Sequence, residues 1–151
     1  MEAFRRSKAV LTSYPILQSP NYNKPFKIAT DASDIGVGAV LIQEDSTGID
    51  HPVAFFSKKL NHAQRKYSTI EREALSLLLA YEHFEVYLSS CRDPIKIFTD
   101  HNPIVFINRF KNKNKRLTRW SLYFQDKNIE IHHVKGKENV VPDSLSRMPV
   151  D

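Results

Sequence analysis

Four acidic residues stand in short sequence settings whose types and order could build a site for cations. Asp31 and Asp100 each follow a short apolar run, whereas Glu73 and Asp143 lie in stretches with helical character. Carboxylates gathered from separate elements repel each other, by about 4 kcal/mol per pair at a separation of ~4 Å and an effective dielectric of ~20. Divalent cations remove this cost, and hard cations such as Mg²⁺ prefer oxygen ligands. The four residues therefore indicate a metal-dependent phosphodiester hydrolase.

Strands are predicted directly before two of these carboxylates. Residues 26–30 and 95–99 both have the composition and alternation of short strands. Residues 36–43 and 53–57 predict two more strands, and short polar breaks join the first three strands into an antiparallel meander. Because residues 95–99 follow a long helical stretch, we expect that strand to run parallel to the first.

A helix is predicted over residues 67–89, with Ser68 or Thr69 as its N-cap. Six apolar side chains recur at steps of three and four and define one stripe: Ile70, Ala74, Leu77, Tyr81, Phe84 and Leu88. At 100° per residue, Glu73 lies about 60° from the centre of this stripe and Glu71 lies about 100° away on the other side. We therefore expect Glu73 to point towards the sheet and Glu71 to point further into solvent.

The remaining elements complete an α/β pattern. Helices are predicted over residues 101–108, 117–126 and 140–146, and a strand over residues 128–134. The resulting order is β-β-β-α-β-α-α-β-α. It predicts a five-stranded mixed sheet, with three antiparallel strands plus parallel strands, flanked by helices.

The composition excludes several classes of protein. A length of 151 residues with 41% hydrophobic and 26% charged residues is typical of one globular domain rather than of several. The first residues lack the apolar segment of a signal peptide, and the apolar runs are too short to span a bilayer, so we expect an intracellular protein without membrane contact. The single cysteine, Cys91, excludes an internal disulfide.

Positive charge is concentrated between residues 109 and 119. Six cations and no acidic residue occur there: Arg109, Lys111, Lys113, Lys115, Arg116 and Arg119. Such a run is commonly a solvated face. Beside a carboxylate cluster it favours phosphate binding instead, because a polyanionic substrate must be held against the repulsion of the acidic groups. We therefore predict that Lys115, Arg116 and Arg119 contact nucleic acid.

Six motifs occur in a distinctive order along the chain. They are Thr30-Asp31-Ala32-Ser33 followed by residues 36–41 (GVGAVL), residues 55–60 (FFSKKL), residues 67–75 (YSTIEREAL), residues 99–101 (TDH), residues 115–122 (KRLTRWSL) and residues 135–147 (KGKENVVPDSLSR). Together they resemble the ribonuclease H domain of gypsy-type LTR retrotransposon Pol polyproteins. The resemblance predicts a ribonuclease H domain at residues 25–149. Residues 1–24 resemble the tail of the reverse transcriptase connection region, or a linker.

The resemblance implies a ribonuclease H-like fold and a catalytic role for each of the four carboxylates. Asp31 would bridge two Mg²⁺ ions, which Mn²⁺ can replace, and Asp143 would join it on the ion that activates water. Glu73 and Asp100 would hold the other ion. His101 is a candidate contact to a phosphate or a water, and a structural role for it is equally open.

The resemblance also implies a reaction and partners. The chain would hydrolyse the RNA strand of RNA–DNA hybrids as part of a reverse transcriptase. Its partners would be the hybrid and the polymerase domain of the parent polyprotein, inside a cytoplasmic retrotransposon particle.

Two alternatives stay open at this point. A catalytically silent, domesticated ribonuclease H-like module could bind nucleic acid without cutting it, although such remnants usually lose at least one carboxylate. An integrase-like strand-transfer enzyme also uses acidic metal chemistry, but the motifs around Glu73 and Asp143 do not suit it. Cleavage of a labelled hybrid in Mg²⁺ separates the first alternative from a nuclease.

Overall fold

The structure, a computed structural model, describes residues 17–100 and 115–134. These residues contain five strands and three helices. In chain order they are β1 (Lys27–Ala32), β2 (Gly36–Glu44), β3 (Asp50–Lys59), α1 (His62–Arg65), α2 (Thr69–Leu88), β4 (Ile95–Thr99), α3 (Lys115–Gln125) and β5 (Ile129–His133). The helices predicted at residues 101–108 and 140–146 lie outside the described residues, and so do His101 and Asp143.

The five strands form one mixed sheet in the order β3-β2-β1-β4-β5. The pairs β1–β2 and β2–β3 are antiparallel, whereas β1–β4 and β4–β5 are parallel. This arrangement confirms the predicted mixed sheet, including the parallel pairing of β4 with β1. The helix α2 provides the long connection that a parallel pair requires.

Strands β1 and β4 carry nearly the same five residues at the same level of the sheet. Residues 27–31 read KIATD and residues 96–100 read KIFTD. The parallel register pairs Lys27 with Lys96 and Ala29 with Phe98. Two residues further along, the same register brings Asp31 level with Asp100.

The hydrophobic core lies between one face of the sheet and the helices α2 and α3. Alternate strand residues and one side of each helix contribute its fully buried members, among them Ile28, Leu41, Ile97, Leu77, Phe84 and Phe124. The buried side of α2 follows the predicted apolar stripe. The core therefore fixes α2 across β1 and β2, and this packing sets the position of Glu73.

The element bounds differ from the predicted ones mainly at polar ends. Strand β1 continues through Asp31 to Ala32, so Asp31 lies within the strand rather than after it. Strand β3 begins at Asp50 and ends at Lys59, because β2 pairs with it over nearly its whole length. Helix α3 already includes Lys115 and Arg116, which precede its predicted start at residue 117.

Helix α1 was not predicted from the sequence. Its four residues are too short to show an apolar period. The side chain of Asn61 caps it, and the side chain of Gln64 accepts a hydrogen bond from the backbone of Asn61 in return.

Within residues 17–100 and 115–134, no helix is long and apolar enough to cross a membrane.

Candidate metal centre

Three of the four predicted carboxylates come together at one place. Each of Asp31, Glu73 and Asp100 offers an oxygen, and these atoms all lie within 4.8 Å of one another. The residues come from β1, from α2 and from the bend directly after β4. The structure therefore gathers three acidic groups that are far apart in sequence, as the sequence predicts.

The two strands that pair with β1, namely β2 and β4, set the surroundings of Asp31. Asp31 pairs with Gly38 on β2, and residues directly opposite each other share a face of the sheet. Gly38 has no side chain, so β2 places only backbone directly beside Asp31 on that face. On the other side, the register of β1 and β4 brings Asp100 level with Asp31.

Helix α2 supplies the third carboxylate from its second turn. Glu73 is 5% exposed, and the residues that follow it, Ala74 and Leu75, are buried in the core. These contacts hold the backbone of Glu73 against the sheet. The predicted orientation of Glu73 is confirmed.

The donor set fits a hard divalent cation. All three groups are carboxylates, and hard cations select oxygen ligands. Asp31 is 2% exposed, and the oxygens Oδ2 of Asp31 and Oε2 of Glu73 are both shielded from solvent. Burial lowers the dielectric screening between like charges, so a cation between these groups removes a large repulsion. The cluster could therefore hold a divalent metal ion.

Glu71 is more exposed than Glu73, as predicted, but it is not solvated on all sides. Its side chain is 12% exposed and forms a salt bridge with Arg116 of α3. Burial alone raises the pKa of Glu71, but hydrogen bonds from Arg116 and Ser68 outweigh it, so the pKa lies below its usual 4.5. The same hydrogen bond, which Arg116 donates to Glu71, raises the pKa of Arg116. A helical wheel gives the direction of Glu71 relative to the sheet, but it carries no information on which helix lies alongside.

The predicted nucleic-acid contacts that the structure describes lie on one side of α3. A cavity of about 340 Å³ is lined by Glu71, Lys115, Arg116 and Arg119. Lys115 and Arg119 are exposed, whereas Arg116 is half-buried, paired with Glu71 and packed against the ring of Tyr67. The three cations therefore have two different environments, which the sequence did not distinguish.

The near-repeat of β1 and β4 and the contact between Glu71 and Arg116 were both missed by sequence reasoning. The near-repeat was visible as KIATD and KIFTD, but it has meaning only once the two strands are known to pair in register. The Ser68 to Glu71 spacing was visible as a capping box, whereas the contact of Glu71 with Arg116 crosses 45 positions.

The chain matches one family model and several long polyproteins. The family described as "RNase H-like domain found in reverse transcriptase" matches residues 21–126. The chain is 40% identical over 149 residues to the retrovirus-related Pol polyprotein from transposon opus of Drosophila melanogaster, covering 99% of this chain and 15% of that protein. It is 38% identical to the transposon Tf2-3 polyprotein of Schizosaccharomyces pombe, covering 97% of this chain and 11% of that protein. The chain thus spans a small part of these relatives.

Solved structures of low sequence identity share the fold. The protease-reverse transcriptase of prototype foamy virus superposes with a TM-score of 0.67 at 15% identity, over 94% of this chain and 19% of that chain. A foamy viral protease-reverse transcriptase in complex with an RNA/DNA hybrid gives a TM-score of 0.62 at 17% identity, over 89% of this chain and 18% of that chain. LC11-RNase H1, isolated from compost, gives a TM-score of 0.62 at 19% identity, over 81% of this chain and 92% of that chain. These likenesses confirm the predicted fold.

Proposed function

Because this chain belongs to the family of RNase H-like domains found in reverse transcriptases, we propose that it hydrolyses the RNA strand of RNA–DNA hybrids with the help of divalent metal ions. The observation that carries the proposal is the convergence of Asp31, Glu73 and Asp100, whose oxygens lie within 4.8 Å of one another. Hydrolysis at phosphorus by such a cluster needs no serine or cysteine nucleophile.

The carboxylates have proposed roles as metal ligands. Asp31, Glu73 and Asp100 would hold Mg²⁺ or Mn²⁺, and Asp143, which lies outside the described residues, would complete the set for two ions. When bound, these ions supply an activated water and neutralise charge that develops on the phosphate oxygens. Asp31 is the proposed ligand of both ions, as the resemblance to ribonuclease H domains implies, and its strand β1 pairs with both β2 and β4. The buried backbone of β1 and α2 keeps the ligands in place before substrate arrives.

The basic side of α3 has a proposed role in holding the hybrid. Lys115 and Arg119 are exposed and line the cavity next to Glu71, two residues before the ligand Glu73. Their charges offset the repulsion between the acidic cluster and the phosphate backbone. His101 belongs to the same proposed set, whereas Arg116, also predicted from the sequence as a nucleic-acid contact, is paired with Glu71 within the protein.

The context of the reaction is proposed from the relatives. Their names are those of a retrovirus-related Pol polyprotein and of a transposon polyprotein, and one foamy viral protease-reverse transcriptase was solved in complex with an RNA/DNA hybrid. We propose that this domain acts beside a polymerase domain in a reverse transcriptase, inside an intracellular retrotransposon particle. The division into a connection tail at residues 1–24 and a nuclease domain at residues 25–149 stays a prediction.

A cleavage assay tests the proposed function. The purified chain, mixed with an RNA–DNA hybrid labelled on the RNA strand, is expected to cut that strand in Mg²⁺ or Mn²⁺ and not in EDTA. Duplex DNA and duplex RNA serve as matched substrates and are expected to stay intact. If the chain binds the hybrid but cuts nothing in either metal, the silent nucleic-acid-binding module is the better description.

The salt dependence of hybrid binding tests the role of α3. Replacing both Lys115 and Arg119 with alanine is expected to weaken binding and to reduce the slope of log affinity against log salt by about two units, roughly one for each lost phosphate contact. Fluorescence anisotropy in Ca²⁺ or EDTA measures this without cleavage.

The matched control for this pair replaces Arg92, which lies just before β4, and Lys96, near the start of β4; both are exposed and lie away from Asp100. It removes the same net charge and is expected to change the slope much less. Equal slopes for the two double variants would assign Lys115 and Arg119 to an ordinary solvated face.

A further inference from the structure

We propose that Tyr67, Glu71 and Arg116 are positioning residues, forming a contact between α2 and α3 that holds Glu73 in the carboxylate cluster. The inference rests on the proposed function of Glu73 as a metal ligand. It gives roles to residues that the nuclease chemistry itself does not use.

The contact is built around the guanidinium of Arg116. Its Nη1 donates a hydrogen bond to Oε2 of Glu71, and its Cζ lies 4.0 Å from the centre of the Tyr67 ring. Trp120, one helical turn further along α3, has its ring centre 6.1 Å from that of Tyr67. Tyr67 therefore lies against two residues on one side of α3, at the point where α2 begins.

Glu71 connects this contact to the cap of α2. Its Oε1 accepts hydrogen bonds from the backbone N–H of Ser68 at 3.2 Å and from the Ser68 hydroxyl at 2.9 Å. Its Oε2 accepts the hydrogen bond from Arg116. One carboxylate thus ties the N-terminal turn of α2 to α3 with both of its oxygens.

The contact that Glu71 makes with Arg116 lies close enough to Glu73 to affect its position. Glu73 lies two residues after Glu71, which is about 3 Å along the helix axis. Its neighbours Asp31 and Asp100 repel it, and the force pushes the first turns of α2 away from the sheet. Helix ends open more easily than helix centres. The contact with α3 opposes this movement and keeps the ligand oxygens at the spacing that a metal ion requires.

Direct phosphate binding is the competing role for Arg116. The environment disfavours it, because the charge of Arg116 is paired with that of Glu71 and its flat face is covered by Tyr67. Lys115 and Arg119 are exposed and line the same cavity. The two roles predict different effects of removing Arg116. Loss of a phosphate contact would reduce the salt dependence of hybrid binding, whereas loss of a positioning contact would reduce the affinity for metal.

The test uses the full chain and isothermal titration calorimetry with Mn²⁺ and Mg²⁺. Glu71→Gln keeps the shape of the side chain but leaves one oxygen, which can accept from Ser68 or from Arg116 and not from both. We expect metal affinity to fall about 10-fold, which is the size typical for residues that orient metal ligands. Hybrid affinity in EDTA should be unchanged. In the cleavage assay kcat should fall with KM unchanged, and high metal concentration should restore much of the rate.

Four further variants separate positioning from general damage. Glu82→Gln, the same change at an exposed site on α2, is expected to bind metal like the unaltered chain. Arg116→Ala is expected to reduce metal affinity by about as much as Glu71→Gln does. It tests the same contact between α2 and α3 if Glu71→Gln does not fold. Tyr67→Phe keeps the ring beneath Arg116 and is expected to retain far more metal affinity than Tyr67→Ala.

These measurements can contradict the proposed function and the positioning role separately. If the unaltered chain binds neither metal, the proposed function fails. If it binds metal and both Glu71→Gln and Arg116→Ala bind equally well, the positioning role is overturned. If Arg116→Ala keeps its metal affinity and loses one unit of salt slope, Arg116 is a phosphate ligand instead.

Discussion

Asp31→Asn is expected to abolish cleavage of the RNA strand and, at the same time, to stabilise the metal-free protein. Asparagine keeps the shape of the side chain but removes one negative charge from a cluster whose oxygens lie within 4.8 Å of one another. The repulsion that is lost is on the order of 1–4 kcal/mol, so the free energy of unfolding in EDTA should rise by a comparable amount. Opposite changes in activity and stability would be hard to explain by a structural defect.

Thermal melts with and without Mg²⁺ measure the stability part of this prediction. The unaltered chain should gain stability on adding metal, since only the folded state assembles the ligands, whereas Asp31→Asn should gain little. Asp93→Asn, at an exposed position before β4, is the matched control and should cleave and melt like the unaltered chain. Cleavage by Asp31→Asn at a rate close to that of the unaltered chain would refute the proposed role of Asp31.

Phe84→Ala is expected to cost about 3–5 kcal/mol of the free energy of unfolding, the range for removing a fully buried aromatic ring. Phe84 is 0% exposed and belongs to the core that fixes α2 against the sheet. Urea denaturation followed by circular dichroism measures the loss from the shift of the midpoint.

The control for Phe84→Ala is Val86→Ala on the same helix. Val86 is 75% exposed, so its replacement should change the free energy of unfolding by no more than about 0.5 kcal/mol. Equal losses for the two variants would mean that helix α2 contributes little to the core.

Sequence periodicity predicted the parts of the fold that depend on local pattern. The bounds of β4 were predicted to the residue, and α2 was predicted to within two residues at each end, because both have a clear apolar repeat. The choice of Glu73 over Glu71 as the residue that faces the sheet followed from the same repeat. These features need only the knowledge of which side of each element is apolar.

The neighbours of each element could not be predicted in the same way. The angle of Glu71 from the apolar stripe was sound, but the residue that covers it comes from α3, 45 positions away. Likewise α3 includes Lys115 and Arg116, which the apolar repeat did not reveal as helical because both side chains are polar. Contacts between distant elements depend on packing, which a periodic pattern does not encode.

The placement of the carboxylates at strand ends and on helices predicted that residues from β1, α2 and the end of β4 belong to one cluster, and the motif resemblance implied the same. The convergence of Asp31, Glu73 and Asp100 agrees with it. The part played by Asp143 and His101 lies outside the described residues and stays a prediction.

The parallel pairing of β1 with β4 has a consequence for the order in which the protein acquires activity. The meander β1–β2–β3 joins neighbours in sequence and can form early, whereas β4 can pair with β1 only after α2 has crossed between them. A nascent chain that ends after β3 carries Asp31 alone. The carboxylate cluster is therefore a late product of folding, and a partly synthesised chain lacks the metal centre proposed for this protein.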